Sequence, residues 1–111
     1  MALEITPFHD SIIVAIPSRL DANNAPAVET ELKSLLKNNP KKIILDFSDT
    51  DYLASAGLRV VLFISRECMK SGGRIALVEL QPSVLRIFDM AGFSRLFTIC
   101  LTREEALRKM V

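Results

Sequence analysis

Residues 41–73 decide the fold and read KKIILDFSDTDYLASAGLRVVLFISRECMKSGG. The mostly apolar run 43–47 is typical of a buried strand, and the polar cluster 48–51 ends it. From Ser55 onward, apolar side chains recur at helical spacing until a glycine pair at 72–73 ends the pattern. The stretch therefore predicts a strand, a loop and a helix, with Ser55 at or next to the helix N-cap. The side chains expected on the inner side of this helix are Leu58, Val61, Leu62, Ser65 and Met69.

A serine at the start of a helix can serve in two ways. Its hydroxyl can cap free backbone N–H groups, which stabilises a helix by about 1 kcal/mol relative to alanine. A phosphate added to it would meet the same N–H groups and the positive end of the helix dipole. The residues by themselves leave both roles open for Ser55.

Length and composition bound the class of protein. The 111 residues are enough to bury one core but too few for two, so we expect one domain over 1–111. A hydrophobic fraction of 50% with 24% charged residues excludes an intrinsically disordered chain. The net charge of +1 provides no bulk field to recruit nucleic acid or anionic lipid. We therefore expect no direct nucleic-acid partner.

Cysteine placement and hydropathy give the expected location. Cys68 and Cys100 lie far apart in apolar segments, which is typical of free buried thiols. Glu4 and Pro7 interrupt the apolar residues at the N-terminus, so no signal peptide is predicted. Apolar runs are shorter than the roughly 20 residues of a membrane-spanning helix. A soluble cytoplasmic protein without membrane insertion is the expectation.

The rest of the chain alternates between strand and helix patterns. Strands are predicted at 3–6, 11–16, 74–79 and 96–100. The first two form a hairpin, whose turn is expected at 7–10. Helices are predicted between Pro26 and 38–40, between Pro82 and Gly92, and from a capping box at 102–105 onward. These elements predict an α/β domain with a small mixed, mostly parallel β-sheet, an N-terminal hairpin and about four α-helices.

Two loops follow strands at the expected carboxyl end of this sheet. They cover 18–24 and 48–54, and functional loops of parallel sheets gather where strands give way to helices. If the strands before them are neighbours, Asp21 and Ser55 lie at the same end of the domain. Asp21 by itself also suits a cap of the following helix.

Enzyme and metal chemistry have little support in the residues. Ser55 lies outside a Gly-x-Ser-x-Gly motif and the sole imidazole, His9, falls in a predicted turn, so a small hydrolase is a weak alternative. Asp46, Asp49 and Asp51 lack the glycine and distal glutamate of a calcium loop and suit a solvated turn. A non-enzymatic binding module is expected, without catalytic, metal-binding or cofactor-binding residues.

Four segments together carry a resemblance to a known family. They are RLDA at 19–22, ILDF at 44–47, SAGL at 55–58 and RIFDMAG at 86–92. In this order and spacing they resemble the STAS domain of bacterial anti-sigma-factor antagonists. The resemblance covers nearly the whole chain, and the combination is more specific than any one segment.

The resemblance implies a regulator of transcription in a partner-switching pathway. Such a protein binds an anti-sigma factor, which is also a serine kinase, and thereby frees a sigma factor. The kinase phosphorylates a serine that corresponds to Ser55, and a serine phosphatase restores binding. The partner-binding residues implied are Asp21, Ala54, Ser55, Ala56, Gly57 and Arg59.

Two positions depart from the family pattern. The residue before the phosphoacceptor is commonly aspartate and here is Ala54, whereas Arg59 replaces a common glycine. Arg59 lies four residues beyond Ser55, on the same helical face, and could pair with a phosphate there. The alternative to a switch is a constitutive STAS module of a transporter or lipid-transport complex, with Ser55 only a helix cap.

The oligomeric state is expected to be a monomer or a weak dimer. An exposed apolar patch formed by Phe93, Leu96 and Phe97, near the last strand, would favour the dimer.

Overall fold

A computed structural model of the chain describes residues 3–110, so residues 1, 2 and 111 of the expected domain lie outside the described part. The described part contains seven strands and four helices. In chain order they are β1 (Ile5–Phe8), β2 (Ser11–Ala15), β3 (Arg19–Leu20), α1 (Ala25–Leu36), β4 (Lys42–Asp46), β5 (Tyr52–Leu53), α2 (Ser55–Lys70), β6 (Arg74–Val78), α3 (Pro82–Met90), β7 (Thr98–Cys100) and α4 (Arg103–Lys109).

Five of the strands form one mixed sheet in the order β1-β2-β4-β6-β7. β1 pairs with β2 antiparallel, and the other three pairings are parallel. This confirms the predicted α/β class, the N-terminal hairpin and the mostly parallel sheet. A second sheet was not predicted: β3 and β5 pair in parallel through two residues each, which is too short to show a strand period.

Apolar side chains cover both faces of the central strand. Ile43 and Leu45 of β4 belong to the larger core, which also contains buried residues of α1, α2 and α3. Ile44 points to the other face, where a smaller core includes Ala106 and Met110 at the C-terminal end of the chain. This explains why β4 reads as a continuous apolar run, since a strand covered on both faces needs apolar residues at every position.

The hairpin turn is shorter than predicted. It consists of His9 and Asp10, and His9 takes the left-handed backbone conformation with φ of 57°. Pro7 was expected in the turn but pairs with Ile12 in β1. Since β1 is an edge strand, the missing N–H of Pro7 is tolerated there. It also leaves one backbone donor fewer on the exposed edge, where a strand of another molecule could otherwise pair.

Helix α2 is rotated relative to the predicted stripe. Leu58, Val61 and Ser65 are buried as expected, but Met69 is 62% exposed. Four further residues of the buried face are Gly57, Val60, Ile64 and Cys68. Apolar residues lie on both sides of the predicted stripe, so periodicity alone does not tell which of them face the sheet.

The predicted apolar surface patch is mostly wrong. Phe93 and Phe97 are only partly exposed and pack against the larger core. The ring of Phe97 meets Phe88 edge to face with centroids 5.4 Å apart, and Phe93 meets Phe97 at 6.5 Å. Leu96 remains 55% exposed. Two of the three side chains therefore stabilise the fold rather than a dimer.

Candidate functional site

The small sheet joins the two loops that sequence analysis singled out. Arg19 pairs with Tyr52 and Leu20 pairs with Leu53. The N–H of Ala54 donates to the carbonyl oxygen of Leu20 at 2.9 Å. Asp21 directly follows β3, and Ser55 follows β5 after one residue. Asp21 and Ser55 therefore lie at the same end of the domain, as predicted.

Ser55 is the first residue of α2 and does not cap it. The N-cap position belongs to Ala54, which has an extended backbone (φ −91°, ψ 169°) and no side chain able to accept a hydrogen bond. The Ser55 side chain is exposed and forms no hydrogen bond within residues 3–110. Ser55 therefore lies next to the N-cap, as predicted, and of the two roles left open for its hydroxyl capping is not seen, because the helix begins at Ser55 itself. The first turn of α2 also lacks an acidic side chain.

Asp21 stabilises the turn before α1 rather than α1 itself. Its Oδ1 accepts the N–H groups of Asn23 at 2.9 Å and Asn24 at 3.3 Å. Its Oδ2 lies 3.5 Å from Nε of Arg19. The N-cap of α1 is Asn24, whose side chain forms no capping bond. The Asp21 carboxylate is thus held in one position at the edge of the β3–α1 loop.

Gly57 lets α2 approach the small sheet closely. A Cβ atom at this position would lie 2.6 Å from Cγ of Leu20, 2.7 Å from its carbonyl oxygen and 2.8 Å from Cδ1 of Leu53. Such distances are too short for any side chain. The absence of a side chain at Gly57 therefore sets how near the helix start lies to β3 and β5.

Thr50 ties the loop before β5 to the segment before β3. The residue is fully buried, and its Oγ1 lies 2.9 Å from the carbonyl oxygen of Pro17 and 3.2 Å from that of Ile16. The N–H of Asp51 donates to the carbonyl oxygen of Ser18 at 3.0 Å. Side-chain and backbone bonds thus hold the two loops together as one surface.

The remaining predicted contact residues differ in exposure. Ala54 and Ala56 are partly exposed, whereas Gly57 is buried and contributes shape rather than contact area. Arg59 is exposed and forms no ion pair with a residue in the range 3–110.

A family model of the STAS domain matches residues 3–106. The chain belongs to the STAS domain family. The match covers the sheet, helices α1 to α3 and the start of α4, together with both loops of the candidate site.

Relatives of this STAS domain carry names that agree with the resemblance. A protein of Bordetella bronchiseptica, named as a candidate anti-sigma factor antagonist, is 31% identical over 106 residues, covering 96% of this chain and 91% of that protein. The anti-sigma-B factor antagonist of Bacillus subtilis is 26% identical over 102 residues, with 92% and 93% covered. These names describe proteins that oppose other proteins, which agrees with the expectation of a binding protein rather than an enzyme.

A solved structure shares the fold closely. The crystal structure of a candidate anti-sigma factor antagonist from Thermotoga maritima matches with a TM-score of 0.90 at 26% identity. The match covers 97% of this chain and 93% of that one. The element order and the mixed sheet described above are therefore those of the STAS fold.

A serine–histidine hydrolase at Ser55 is excluded by the position of His9. His9 lies in the hairpin turn that precedes β2, and β2 runs parallel to β4. Ser55 follows the opposite, carboxyl end of β4, so the length of the sheet separates the imidazole from the hydroxyl. Because the sequence contains a single histidine, no other imidazole can act as the base.

The three aspartates do not behave alike. Asp49 and Asp51 are exposed, as a solvated turn predicts, but Asp46 is 8% exposed. Its Oδ1 accepts the N–H of Ser48 at 2.9 Å, and its Oδ2 pairs with Arg103 of α4 at 3.2 Å. Asp46 is therefore a structural residue, since a buried carboxylate needs such partners. Within residues 3–110, no cluster of three or more potential metal ligands occurs.

Cys68 and Cys100 are free and buried, as predicted. They lie in different cores, on opposite faces of the sheet. Burial raises the pKa of both thiols above the usual value, which disfavours the reactive thiolate. In the described part of the chain, no helix is long and apolar enough to cross a membrane.

Sequence reasoning missed two features of the site. Thr50 was grouped with the polar loop, although its hydroxyl is buried, because composition does not distinguish a buried threonine from a solvated one. The contact between Arg19 and Tyr52, in which the guanidinium carbon lies 4.4 Å from the ring centroid, depends on a pairing across 33 residues. No local pattern could have indicated it.

We expect Thr50→Val to destabilise the domain by about 1–2 kcal/mol, because the buried hydroxyl donor shared by the carbonyl groups of Ile16 and Pro17 is lost. Thr50→Ser keeps the hydroxyl and should recover most of this free energy. Thr98→Val makes the same change at an exposed strand position and should be nearly neutral. Urea unfolding at equilibrium measures all three. Equal stability of Thr50→Val and the wild type would contradict the role assigned to the hydroxyl.

Proposed function

We propose that this STAS domain is an anti-sigma-factor antagonist in a partner-switching pathway, controlled by reversible phosphorylation of Ser55. The observation that carries the proposal is the exposed, unbonded hydroxyl of Ser55 at the uncapped start of α2, beside the loop that holds Asp21. The names of the relatives support an antagonist. Its partners would be an anti-sigma factor with serine kinase activity and a serine phosphatase.

The site suits a phosphoacceptor for physical reasons. A kinase needs an accessible hydroxyl, and the one on Ser55 has no hydrogen bond to break within the described chain. A phosphate adds roughly two negative charges and three acceptor oxygens. The first N–H groups of α2 have no side-chain acceptor, and the helix dipole is positive there. The fold therefore tolerates the modification.

The surface around Ser55 would contact the partner. Ala54 and Ala56 are small and partly exposed, so a partner backbone can approach the helix start. Asp21 presents a fixed carboxylate, with 18% of its side chain exposed. A partner that fits closely over these residues would meet the phosphate directly. Modification would thus remove the interface while leaving the domain folded.

Incubation with a cognate anti-sigma factor kinase and ATP tests this function. We expect mass spectrometry to find one phosphate, located at Ser55 and absent from Ser55→Ala. A serine phosphatase should remove it. If a range of such kinases leaves Ser55 unmodified while the protein copurifies with transporter subunits, the switch is wrong and the constitutive STAS module replaces it.

We expect phosphorylation of Ser55 to raise thermal stability, by roughly 0.5–1 kcal/mol, through the helix dipole and Arg59. Arg59 lies one turn beyond Ser55 and is exposed without an ion pair in the described chain. Thermal unfolding of the modified and unmodified forms measures the gain. It should shrink in Arg59→Ala and stay unchanged in Arg66→Ala, an exposed arginine further along α2. The same gain in Arg59→Ala would show that Arg59 does not contribute to the stabilisation.

A further inference from the structure

Two side chains in contact with each other, Arg19 and Tyr52, lie on the outward face of the small sheet. Leu20 and Leu53 point inward and are buried. Since side chains alternate along a strand, Arg19 and Tyr52 point to the solvent on the opposite face. Tyr52 is 44% exposed. This face lies beside Ser55, because β5 and α2 are separated by one residue.

Arg19 is held from two sides although it is exposed. Its guanidinium carbon lies 4.4 Å from the centroid of the Tyr52 ring, and its Nε lies 3.5 Å from Oδ2 of Asp21. Asp21 is itself fixed by two backbone N–H groups. The Arg19 side chain is 63% exposed, so its ion pair is weak and screened by water. Its two terminal nitrogens have no hydrogen-bond acceptor among residues 3–110.

A guanidinium held in this way is prepared for a carboxylate. Its terminal N–H groups form a planar fork that matches both oxygens of a carboxylate. The contacts with Tyr52 and Asp21 restrict the side chain in part, which lowers the entropy lost when a ligand binds. Arginine and tyrosine are also the residue types that most often dominate binding energy at protein interfaces.

We propose that Arg19 and Tyr52 form a docking point for an acidic side chain of the partner protein. The inference rests on the proposed function and adds the chemistry of the partner's contact segment. Asp49 and Asp51 are exposed in the loop that precedes Tyr52, and they would repel a uniformly acidic segment. A partner segment with a single carboxylate, bound by Arg19, therefore fits this surface better than a uniformly acidic one.

Binding of a purified anti-sigma factor kinase, measured by calorimetry without ATP, tests the docking point. Arg19→Ala should raise the dissociation constant by about tenfold or more, as expected for a dominant interface residue. Arg19→Lys should recover little of the affinity, because lysine lacks the planar fork. Tyr52→Ala should weaken binding and Tyr52→Phe should restore it, since the ring rather than the hydroxyl supports Arg19. Arg66→Ala, which removes an exposed arginine of α2, is the matched control.

A charge exchange tests the chemistry of the partner. Each exposed acidic residue of the kinase is changed to lysine in turn and combined with Arg19→Glu. We expect one of these changes to restore binding that Arg19→Glu has abolished. If no exchange restores binding, the inference that Arg19 binds a carboxylate of the partner is wrong. If Arg19→Ala binds as tightly as the wild type, the docking point is wrong while the proposed function stays intact. No binding by the wild type to any such kinase overturns the proposed function together with this inference.

Discussion

Ser55→Glu is expected to weaken binding of the anti-sigma factor by about 100-fold, and phosphorylation of Ser55 is expected to weaken it further. The new charge would lie at an exposed helix start, so the free protein loses nothing. In the complex, the same charge would be enclosed between two surfaces, and no opposite charge would compensate the free-energy cost of its desolvation. Surface plasmon resonance with the immobilised anti-sigma factor measures the dissociation constants.

Ser71→Glu provides the matched control for this change. Ser71 is exposed at the other end of α2, where it occupies the C-cap position. The variant carries the same added charge on the same helix, so any general effect of charge on association appears in both. We expect Ser71→Glu to bind like the wild type. Equal weakening in both variants would contradict a local interface at Ser55.

Gly57→Ala is expected to destabilise the domain by about 3 kcal/mol, the upper range for overpacking a well-filled site. Alanine improves helix propensity by at most about 1 kcal/mol, so the steric effect exceeds it. The new Cβ would lie 2.7 Å from a backbone oxygen, that of Leu20, which cannot move as a flexible side chain could. Differential scanning calorimetry should show a fall in Tm of more than 10 °C, based on about 4–8 °C per kcal/mol for a domain of this size.

Ala56→Gly is the control for Gly57→Ala. It changes helix propensity at the neighbouring position, in the opposite direction and without steric conflict, and should destabilise by at most about 1 kcal/mol. The amide hydrogen exchange of Ala54 adds a local measurement. Because that N–H donates to Leu20, it should exchange faster in Gly57→Ala. A Tm equal to that of the wild type would show that α2 is not held against Leu20 as described.

Most of the fold could be predicted from local patterns. The β4 to α2 stretch was predicted because a buried strand and an amphipathic helix each have their own period, and a polar cluster separates them. Thr102 was predicted to begin α4, and its Oγ1 accepts the N–H of Glu105 at 3.1 Å. Elements of two residues, such as β3 and β5, contain no period at all. They exist because tertiary packing brings the segments together.

The candidate site could be predicted less well than the fold. Asp21 and Ser55 lie at the same end of the sheet because β2 and β4 run parallel, and this could be predicted. The roles of single side chains depend on neighbours distant in sequence. The sequence suggests that Asp46 is a solvated turn residue, because its partner Arg103 lies 57 residues further along the chain and is brought beside it only by the fold. The sequence suggests a surface patch at Phe93 and Phe97, whereas in the structure both pack against the core, where Phe97 meets Phe88.

The sequence by itself determined that Ser55 stands near the start of α2, because the change from a strand period to a helix period locates that region. It could not determine that Ala54 takes the N-cap position, leaving the Ser55 hydroxyl exposed and unbonded. That difference is a matter of backbone angles, which the packing of Gly57 on Leu20 and the bond from Ala54 to Leu20 decide. Tertiary structure likewise decided that Arg19 lies over Tyr52, since only the pairing of β3 with β5 brings them together.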